Sequence, residues 1–405
     1  MADPAKLELL TRTTDDTGFH VVEIDSNYVY LSFKPQRLAQ TEWELTAQPV
    51  GADGARNYVI KNLRLDRYLL LTSKEYFLWE YFDGGHSLEE IARLFHLSAG
   101  AFDYSLIRQL LAKLHGCGLL ETQFDTNLQP TLATQEQRWG HLLRARVKQW
   151  RRVTLRIPNA DRLCSTLYKR GGFLLFHPMT FWTAVAVAVF ALITAARDTP
   201  SAENFAYFLK TRPILLTSAM LIAPLLVSVL HVLIHALACK AYGRRVREMG
   251  FFFLQGFVPT LYADVTDIFM SSRRARVTLD LAGPMVEVAL GSASLLAAWA
   301  SSPGVGQALL FGVGVMLWES ALINLYPFNF LEMDGYNIVA DLLAMPMLRQ
   351  QALALIPNLA SRLRQVKTIE RAEWLQIGYL ALCLVSVALY VIAHLDAIRS
   401  LLYFS

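Results

Sequence analysis

The chain changes character near residue 172, where a polar and irregular sequence gives way to long apolar runs. Five of these runs reach the roughly 20 mainly apolar residues that a membrane-spanning helix needs. The pattern therefore predicts an α-helical polytopic membrane protein of about five spans, preceded by a small α+β domain. The predicted spans cover residues 174–195, 213–239, 279–301, 306–326 and 374–395.

The region before the spans begins with alternating polar and apolar positions and then changes to helical periodicity. Alternation in residues 28–33 and 57–71 predicts strands. Thr72 begins a first predicted helix, and Ser87 with Glu90 begins a second at capping-box spacing. A third amphipathic stretch ends at glycines before a closing strand. Strands followed by three short helices fit a winged helix-turn-helix.

The overall composition agrees with a membrane protein, because 54% of the residues are hydrophobic. Shifts in composition along the chain separate an N-terminal segment, the winged-helix domain, a basic juxtamembrane linker, a membrane core, and a cytoplasmic segment with the last span. In that order, the predicted segments are 1–24, 25–125, 126–172, 173–345 and 346–405.

Lys and Arg residues flank the predicted spans unevenly, with clusters before the first span, after the second and after the fourth. The positive-inside rule predicts that these sides face the cytoplasm. We therefore expect a multi-pass protein of the cytoplasmic membrane, with its N-terminal domain inside. The net charge of +4 mostly reflects this asymmetry, so no nucleic-acid partner is expected. A basic stretch beside a span also suits contact with the lipid bilayer.

The candidate chemistry lies within the apolar helices. His231 and His235 are four residues apart, which places two imidazoles on one helix face, and Asp334 follows in another hydrophobic segment. Such a three-ligand set with one open position is typical of catalytic zinc, although iron and cobalt also suit it. The alternative is a pair of neutral, hydrogen-bonded core histidines. Cys239 continues the same row as either a neighbour of the metal or an apolar packing residue.

Val232 departs from the helical zinc-protease motif H-E-x-x-H, in which the residue after the first His is the general base. General acid-base groups contribute about 10² to 10⁴ in rate, so the loss of Glu leaves a slow enzyme at best. Metal binding does not need this residue. Glu319 is the candidate replacement base, and Glu287 and Glu332 are weaker candidates.

Four motifs in order make residues 172–345 similar to the site-2 protease class of intramembrane metalloproteases, particularly the bacterial peptide zinc metalloprotease-like proteins. The resemblance implies that His231, His235 and Asp334 bind zinc and that Asn324 and Pro327 shape a broken helix that presents substrate. Gly335 is expected to let the chain bend beside Asp334. The motifs are HVLIHALACKAYGRRVREMGFFF, PTLYADVTDIF, RVTLDLAGPMVE and INLYPFNFLEMDGYNIVADLL.

In that family, an element like PTLYADVTDIF aligns the substrate as an extended strand. An apolar run too short to span the bilayer precedes it, so a hairpin or edge strand is expected. The alternative is an interfacial loop.

Residues 25–122 resemble PqqD-like domains, which recognise the leader segments of ribosomally made peptides. The matching sequence runs from RYLLLTSKEYFLWEYFDGGHSLEEIARLF to LLAKLHGCGLL. The resemblance implies that an extended peptide binds as an added strand along a sheet edge. A packing or dimerising role is one alternative. A DNA-reading helix is another, although the helices carry few basic residues to follow phosphates.

Together these features predict an integral membrane protein of the zinc-metalloprotease type that acts on or binds a ribosomally made peptide. An exporter or a maturation enzyme is the expected partner. Hydrolysis is expected to be impaired because Val232 replaces the usual Glu. An active endopeptidase with another base and a membrane-tethered regulator are the alternatives, so the sequence leaves open whether the protein is an enzyme.

Overall fold

The computed structural model divides the chain into two compact units. The first comprises Met1–Val50 and Gly54–Arg138, and the second comprises Gly51–Asp53 and Trp139–Ser405. Residues 122–154, which include most of the predicted basic linker, lie outside the described part of the chain. The structure describes residues 6–12, 19–25, 31–51, 54–99, 104–121, 155–254, 258–328, 330–358 and 370–403.

The first unit contains an antiparallel hairpin, a three-stranded antiparallel sheet and three helices. The sheet has the order β3-β4-β5, so β4 is central. The strands are β1 (Lys6–Arg12), β2 (Phe19–Asp25), β3 (Trp43–Val50), β4 (Arg56–Asn62) and β5 (Arg67–Leu71), and the helices are α1 (Ser73–Glu80), α2 (Leu88–Ala99) and α3 (Tyr104–Gly116).

The strands of this unit were predicted in part. The alternation in 57–71 forms β4 and β5, and Leu120 forms a bridge to Arg37 where a closing strand was expected. The strand predicted at 28–33 is wrong at Leu31 and Ser32, which are helical, and residues 28–30 lie outside the described part of the chain. The hairpin β1–β2 and the strand β3 were missed. β3 is an outer strand whose side chains are exposed or only half-buried, so it lacks a clear apolar face.

The predicted helix starts are confirmed by their caps. Thr72 accepts a hydrogen bond from the Glu75 backbone, and the Glu75 carboxylate accepts one from the Thr72 backbone. Ser87 and Glu90 form the same reciprocal pair before α2. Helices α1 to α3 pack around a continuous apolar core that includes the fully buried side chains Trp79 and Phe82.

The second unit is mainly helical and carries a small sheet. Its strands are β6 (Leu155–Arg156), β7 (Glu248–Leu254) and β8 (Val258–Asp264). Its helices are α4 (Ala160–Lys169), α5 (Pro178–Ala195), α6 (Thr199–Thr211), α7 (Pro213–Ala241), α8 (Arg273–Ala300), α9 (Val305–Leu325), α10 (Asp334–Leu343), α11 (Leu348–Leu355) and α12 (Arg371–Tyr403).

Five helices of this unit are long and apolar enough to cross a membrane, as the sequence predicted. They are α5, α7, α8, α9 and the Arg371–Leu389 part of α12. Helices α10 and α11 together pass the same test but are bent by 87° at the break between them. The protein is thus a multi-pass membrane protein with a broken helical segment after α9.

The sheet of the second unit lies beside the helix that carries the histidines. Strands β7 and β8 form an antiparallel hairpin in which Glu248 pairs with Asp264, and β6 pairs with the outer side of β7. The strand order β6-β7-β8 leaves β8 as an edge strand. The hairpin or edge strand expected in this region is therefore present. A short 3-10 turn, Thr266–Met270, leads from β8 to α8.

Candidate metal site

Three predicted ligands from two helices converge in the membrane unit. His231 and His235 lie one turn apart on α7, and their Nε2 atoms are 2.9 Å apart. Asp334, the first residue of α10, places its Oδ2 atom 3.1 Å from the Nε2 atom of His231 and its Oδ1 atom 3.5 Å from that of His235. One ligand atom from each residue lies within 4.8 Å of the others, so this group could hold a metal ion.

The outer nitrogen of each imidazole has its own partner. The Nδ1 atom of His231 is 2.8 Å from the Oε1 atom of Glu287, and the Nδ1 atom of His235 is 2.7 Å from the Leu279 carbonyl oxygen. A carbonyl or carboxylate oxygen accepts a hydrogen bond, so both Nδ1 atoms act as donors. Metal-binding histidines are commonly held in this way.

This arrangement leaves acceptors facing one another. With the Nδ1 positions protonated, each neutral ring directs its Nε2 lone pair toward the other ring and toward Asp334. The side chains of the three ligands are only 12 to 16% exposed, so water does little to screen their mutual repulsion. A cation placed between them removes the repulsion, and the donor set therefore fits a metal ion.

Glu287 connects three helices behind the ligands. Its side chain is 4% exposed and accepts hydrogen bonds from His231 on α7 and from the Asn324 amide on α9, the latter at 3.2 Å to both oxygens. Asn324 was expected to shape the site, and it does contact the residue that orients a ligand. Glu287 was a weak candidate base, whereas its contacts make it a positioning residue for His231.

Gly283 is a site residue that the sequence analysis missed. A Cβ atom at this position of α8 would lie 2.4 Å from the Nε2 atom of His235 and 2.5 Å from that of His231. The two imidazoles thus pack directly against the α8 backbone. Leu279, Gly283 and Glu287 follow one another at intervals of four residues and form one face of α8. The sequence feature that could have indicated this residue is the Gly283-Pro284 pair within a predicted span.

Gly335 is required for a different reason from the one predicted. The residue is helical, within α10, and does not have a positive φ. A Cβ atom there would lie 2.0 Å from the Leu325 carbonyl oxygen at the end of α9. The half-buried Pro327 follows that helix end. Gly335 therefore permits the close approach of α10 to α9 that brings Asp334 to the histidines.

Val232 and Cys239 lie on the side of α7 that packs against the sheet. Val232 is partly buried against an apolar cluster that includes Ala236 and Val246. Cys239 is fully buried in the same cluster, and its Sγ atom lies 3.4 Å from the Arg245 carbonyl oxygen. It is not part of the group that could hold a metal, and this position favours the packing interpretation.

The remaining candidate bases lie elsewhere. Glu319 is exposed on α9 and, at about 100° per residue, points roughly 140° away from Asn324. Glu332 forms an ion pair with Arg349, at 2.6 Å. Neither carboxylate contacts the two histidines within the part of the chain that the structure describes. None of the carboxylates that the sequence suggested therefore takes the place of the Glu that Val232 replaces.

Comparisons of the chain with protein-family models, with curated proteins and with solved structures find no match. The geometry of the site and the motifs of the sequence are therefore the basis of the proposals that follow.

Proposed function

We propose that this protein is a zinc-binding membrane protein of the site-2 protease type that binds a ribosomally made peptide but hydrolyses it poorly. One observation carries the proposal, namely that three acceptor atoms of His231, His235 and Asp334 converge while both Nδ1 atoms are committed as donors. Two imidazoles and one carboxylate suit zinc and leave one coordination position for another ligand.

The residues around the ligands have separable tasks in this proposal. Zinc, when bound, supplies Lewis acidity toward a peptide carbonyl. Glu287 and the Leu279 carbonyl hold the two rings, and Gly283 leaves the space that the rings occupy. The isopropyl group of Val232 cannot accept a proton. The site therefore favours binding and polarising a peptide over cleaving it.

The outer strands of the two sheets support a peptide as the partner. In the membrane unit, β8 is hydrogen-bonded to β7 on one side and is the edge strand of its sheet. In the first unit, β3 and β5 are the outer strands. Extended peptides add to such edges through main-chain hydrogen bonds. The strands and three helices of the first unit fit a PqqD-like winged helix that recognises a leader peptide, beside an exporter or maturation enzyme.

The distribution of basic residues supports an N-terminal domain in the cytoplasm, with the spans in the cytoplasmic membrane. Arg245 follows α7, and Arg273 and Arg274 begin α8, so these charges gather between the same two spans. Two other arginines of this region form internal ion pairs, Arg247 with Asp264 and Arg276 with Asp341. The proposed orientation therefore depends on fewer basic residues than the sequence suggests.

Metal analysis of the purified full-length protein tests the site. We expect close to one zinc ion per chain in the wild type and a stoichiometric loss in His235→Ala and Asp334→Ala. Glu203→Gln, which changes an exposed carboxylate on α6, is the matched control and should keep the metal. Equal metal content in the wild type and both ligand variants would contradict the proposal.

Restoring the missing base tests the hydrolytic part. Val232→Glu is expected to raise peptide cleavage by about 10² to 10⁴, whereas Val232→Gln adds similar bulk without a base and should not. The substrate would be a peptide found to bind the wild type, and cleavage would be followed by mass spectrometry. Wild-type cleavage at ordinary protease rates, abolished by Glu319→Gln, would instead establish an active endopeptidase with Glu319 as the base.

A further inference from the structure

A cavity of about 330 Å³ lies next to the metal site in the membrane unit. It is partly open and is lined by the end of β8, the 3-10 turn after it, α8 and α10. Leu279, whose carbonyl holds His235, lines the cavity, and so does Asn337, one turn after Asp334 on α10. The polar residues of the lining are Asp264, Thr266, Arg276, Asp280, Asn337 and Asp341.

The charges that line this cavity are paired, with one exception. Arg276 binds both carboxylate oxygens of Asp341, at 2.8 and 2.9 Å. Asp264 forms an ion pair with Arg247 at 2.9 Å. Asp280 is only 8% exposed, and its side-chain partner is the neutral amide of Asn337. Among the described residues, Asp280 is thus the lining carboxylate that forms no ion pair.

A buried carboxylate without a counter-ion is costly, and within a membrane-spanning helix it commonly marks a functional site. A cation that enters the cavity would supply the missing charge to Asp280. The side-chain amide of Asn337, which also lines the cavity, contributes an oxygen as a second acceptor. The lining therefore has the chemistry to select an ammonium or guanidinium group.

The size and position of the cavity suit one side chain of an extended peptide. Its volume is near the lower end of the roughly 300 to 1,000 Å³ found for ligand pockets. Ala263 and Asp264, the last residues of β8, are among its lining residues. A peptide strand paired with β8 on the side away from β7 would direct alternate side chains to one face. One of these side chains would then reach the cavity.

We propose that this cavity is a specificity pocket for a Lys or Arg side chain of the bound peptide, with Asp280 as the counter-ion. The inference rests on the proposed peptide-binding function and adds the class of substrate that the site selects. Arg276 does not oppose it, because its guanidinium is already held by Asp341. An acidic side chain would meet Asp280 directly and is excluded.

Binding of defined peptides to the full-length, zinc-loaded protein in lipid nanodiscs tests the pocket. The probes are fluorescent nonapeptides of alternating Thr and Val that differ only at the central residue, which is Lys, Arg, norleucine or Glu. Norleucine matches the aliphatic part of Lys without the charge. We expect the Lys and Arg peptides to bind about tenfold or more tightly than the norleucine and Glu peptides, because removing one partner of a buried charge pair weakens binding strongly.

Asp280→Asn keeps the shape of the side chain and removes its charge. It should therefore reduce the preference for the Lys and Arg peptides over the norleucine peptide to about twofold or less. Glu203→Gln on α6 is the matched control and should retain the full preference. Metal content and thermal unfolding of both variants are measured alongside. The comparison of Lys with norleucine needs only the wild type, so the pocket remains testable even if Asp280→Asn does not fold.

The outcomes separate this inference from the proposed function. Equal binding of the Lys and norleucine peptides by the wild type would overturn the pocket while leaving peptide binding intact. A preference that persists in Asp280→Asn would overturn the role of Asp280. Failure of all four peptides to bind the zinc-loaded protein would overturn both the pocket and the proposed peptide-binding function.

Discussion

The first unit buries its largest apolar side chains in one core, whereas the membrane unit exposes many of its large apolar side chains and buries several charged ones. Trp79 and Phe82 of the first unit are at most 1% exposed. On α7, by contrast, Leu226 is 66% exposed, while Asp280 and Glu287 on the neighbouring α8 are buried. The two units therefore differ mainly in where their large apolar side chains lie, since the first unit also buries a charged residue, Glu75.

The difference follows from the solvent that each surface meets. In water, burial of apolar area is the main favourable contribution to folding, so the first unit needs a continuous apolar core. Lipid solvates apolar side chains already, so helices in a membrane associate through close packing and polar contacts. The interior of the membrane unit is then free to hold charged groups, and its chemistry lies there.

The polar residues of α8 and α10, together with Gly283, form two facing stripes, which are buried on α8 and half-buried or exposed on α10. Each stripe follows one helix face, because its members are three or four residues apart. The stripes join the metal site to the cavity beside it. They consist of Arg276, Asp280, Gly283 and Glu287 on α8, and of Asp334, Asn337 and Asp341 on α10.

The largest effect is expected where the two stripes meet. Gly283→Ala places a methyl group 2.4 to 2.5 Å from the Nε2 atoms of both histidines, which must move away from each other and from Asp334. We expect nearly complete loss of bound zinc with the helical content retained, measured by metal analysis and circular dichroism. Gly378→Ala on α12 meets no atom within 4 Å and should keep its metal. Full zinc content in Gly283→Ala would show that the rings do not pack on α8.

Shortening one buried side chain tests the apolar core of the first unit. A fragment of residues 1–138 contains the whole apolar core and is expected to fold alone. Leu110 is fully buried in that core, so Leu110→Ala should lower the free energy of unfolding by about 2 to 5 kcal/mol. Urea denaturation of the fragment followed by circular dichroism measures the change. A loss below about 0.5 kcal/mol would contradict the packing described for this unit.

A Leu-to-Ala substitution on the outer face of the membrane unit is the comparison for Leu110→Ala. Leu226→Ala shortens an α7 side chain that faces outward, where lipid replaces the lost contacts. We expect the thermal unfolding midpoint of the full-length protein in nanodiscs to change by no more than a few degrees. A large decrease, comparable with the effect of Leu110→Ala on its own unit, would mean that this face of α7 packs against protein.

Glu287 tests whether the buried charge of the membrane unit serves the metal site. Glu287→Gln keeps the shape of the side chain but weakens its hold on the Nδ1 atom of His231. Partners of this kind typically change metal affinity by about 10- to 100-fold when they are altered. Competition with a zinc chelator measures the affinity, and Glu203→Gln is again the control. Unchanged affinity would mean that Asn324 and Glu287 serve only to join the helices.

The smallest effect is expected for a surface charge of the first unit. Burial alone would raise the pKa of Asp83 slightly, but the backbone N–H of Gly85 and the ring and backbone N–H of His86 lower it from 3.8 to about 2. The folded-state pKa lies below the unfolded one, so this stabilisation is present above about pH 4 and is lost as the pH falls toward 2. In the 1–138 fragment, Asp83→Asn should reduce the loss of unfolding free energy as the pH falls from about 4 toward 2. An unchanged acid unfolding curve would contradict these contacts.

The elements that depend on local sequence were predicted well. The five apolar helices have the length and composition that a membrane requires, and the capping pairs Thr72 with Glu75 and Ser87 with Glu90 start the helices where expected. The strand β3 and the hairpin β1–β2 were missed. An outer strand is specified by its neighbours more than by its own alternation.

The sequence by itself determined which helices are long and apolar enough to cross a membrane and that two histidines share one helix face, because both follow from composition and the helical repeat. It also pointed to Asp334, although nothing local brings that residue to the histidines. Only the tertiary structure decided the remaining parts of the site, namely the role of Glu287, the contact of Gly283 with both rings and the cavity beside Asp280. These depend on how α7, α8 and α10 approach one another, and that approach is set by close packing between segments far apart in the chain.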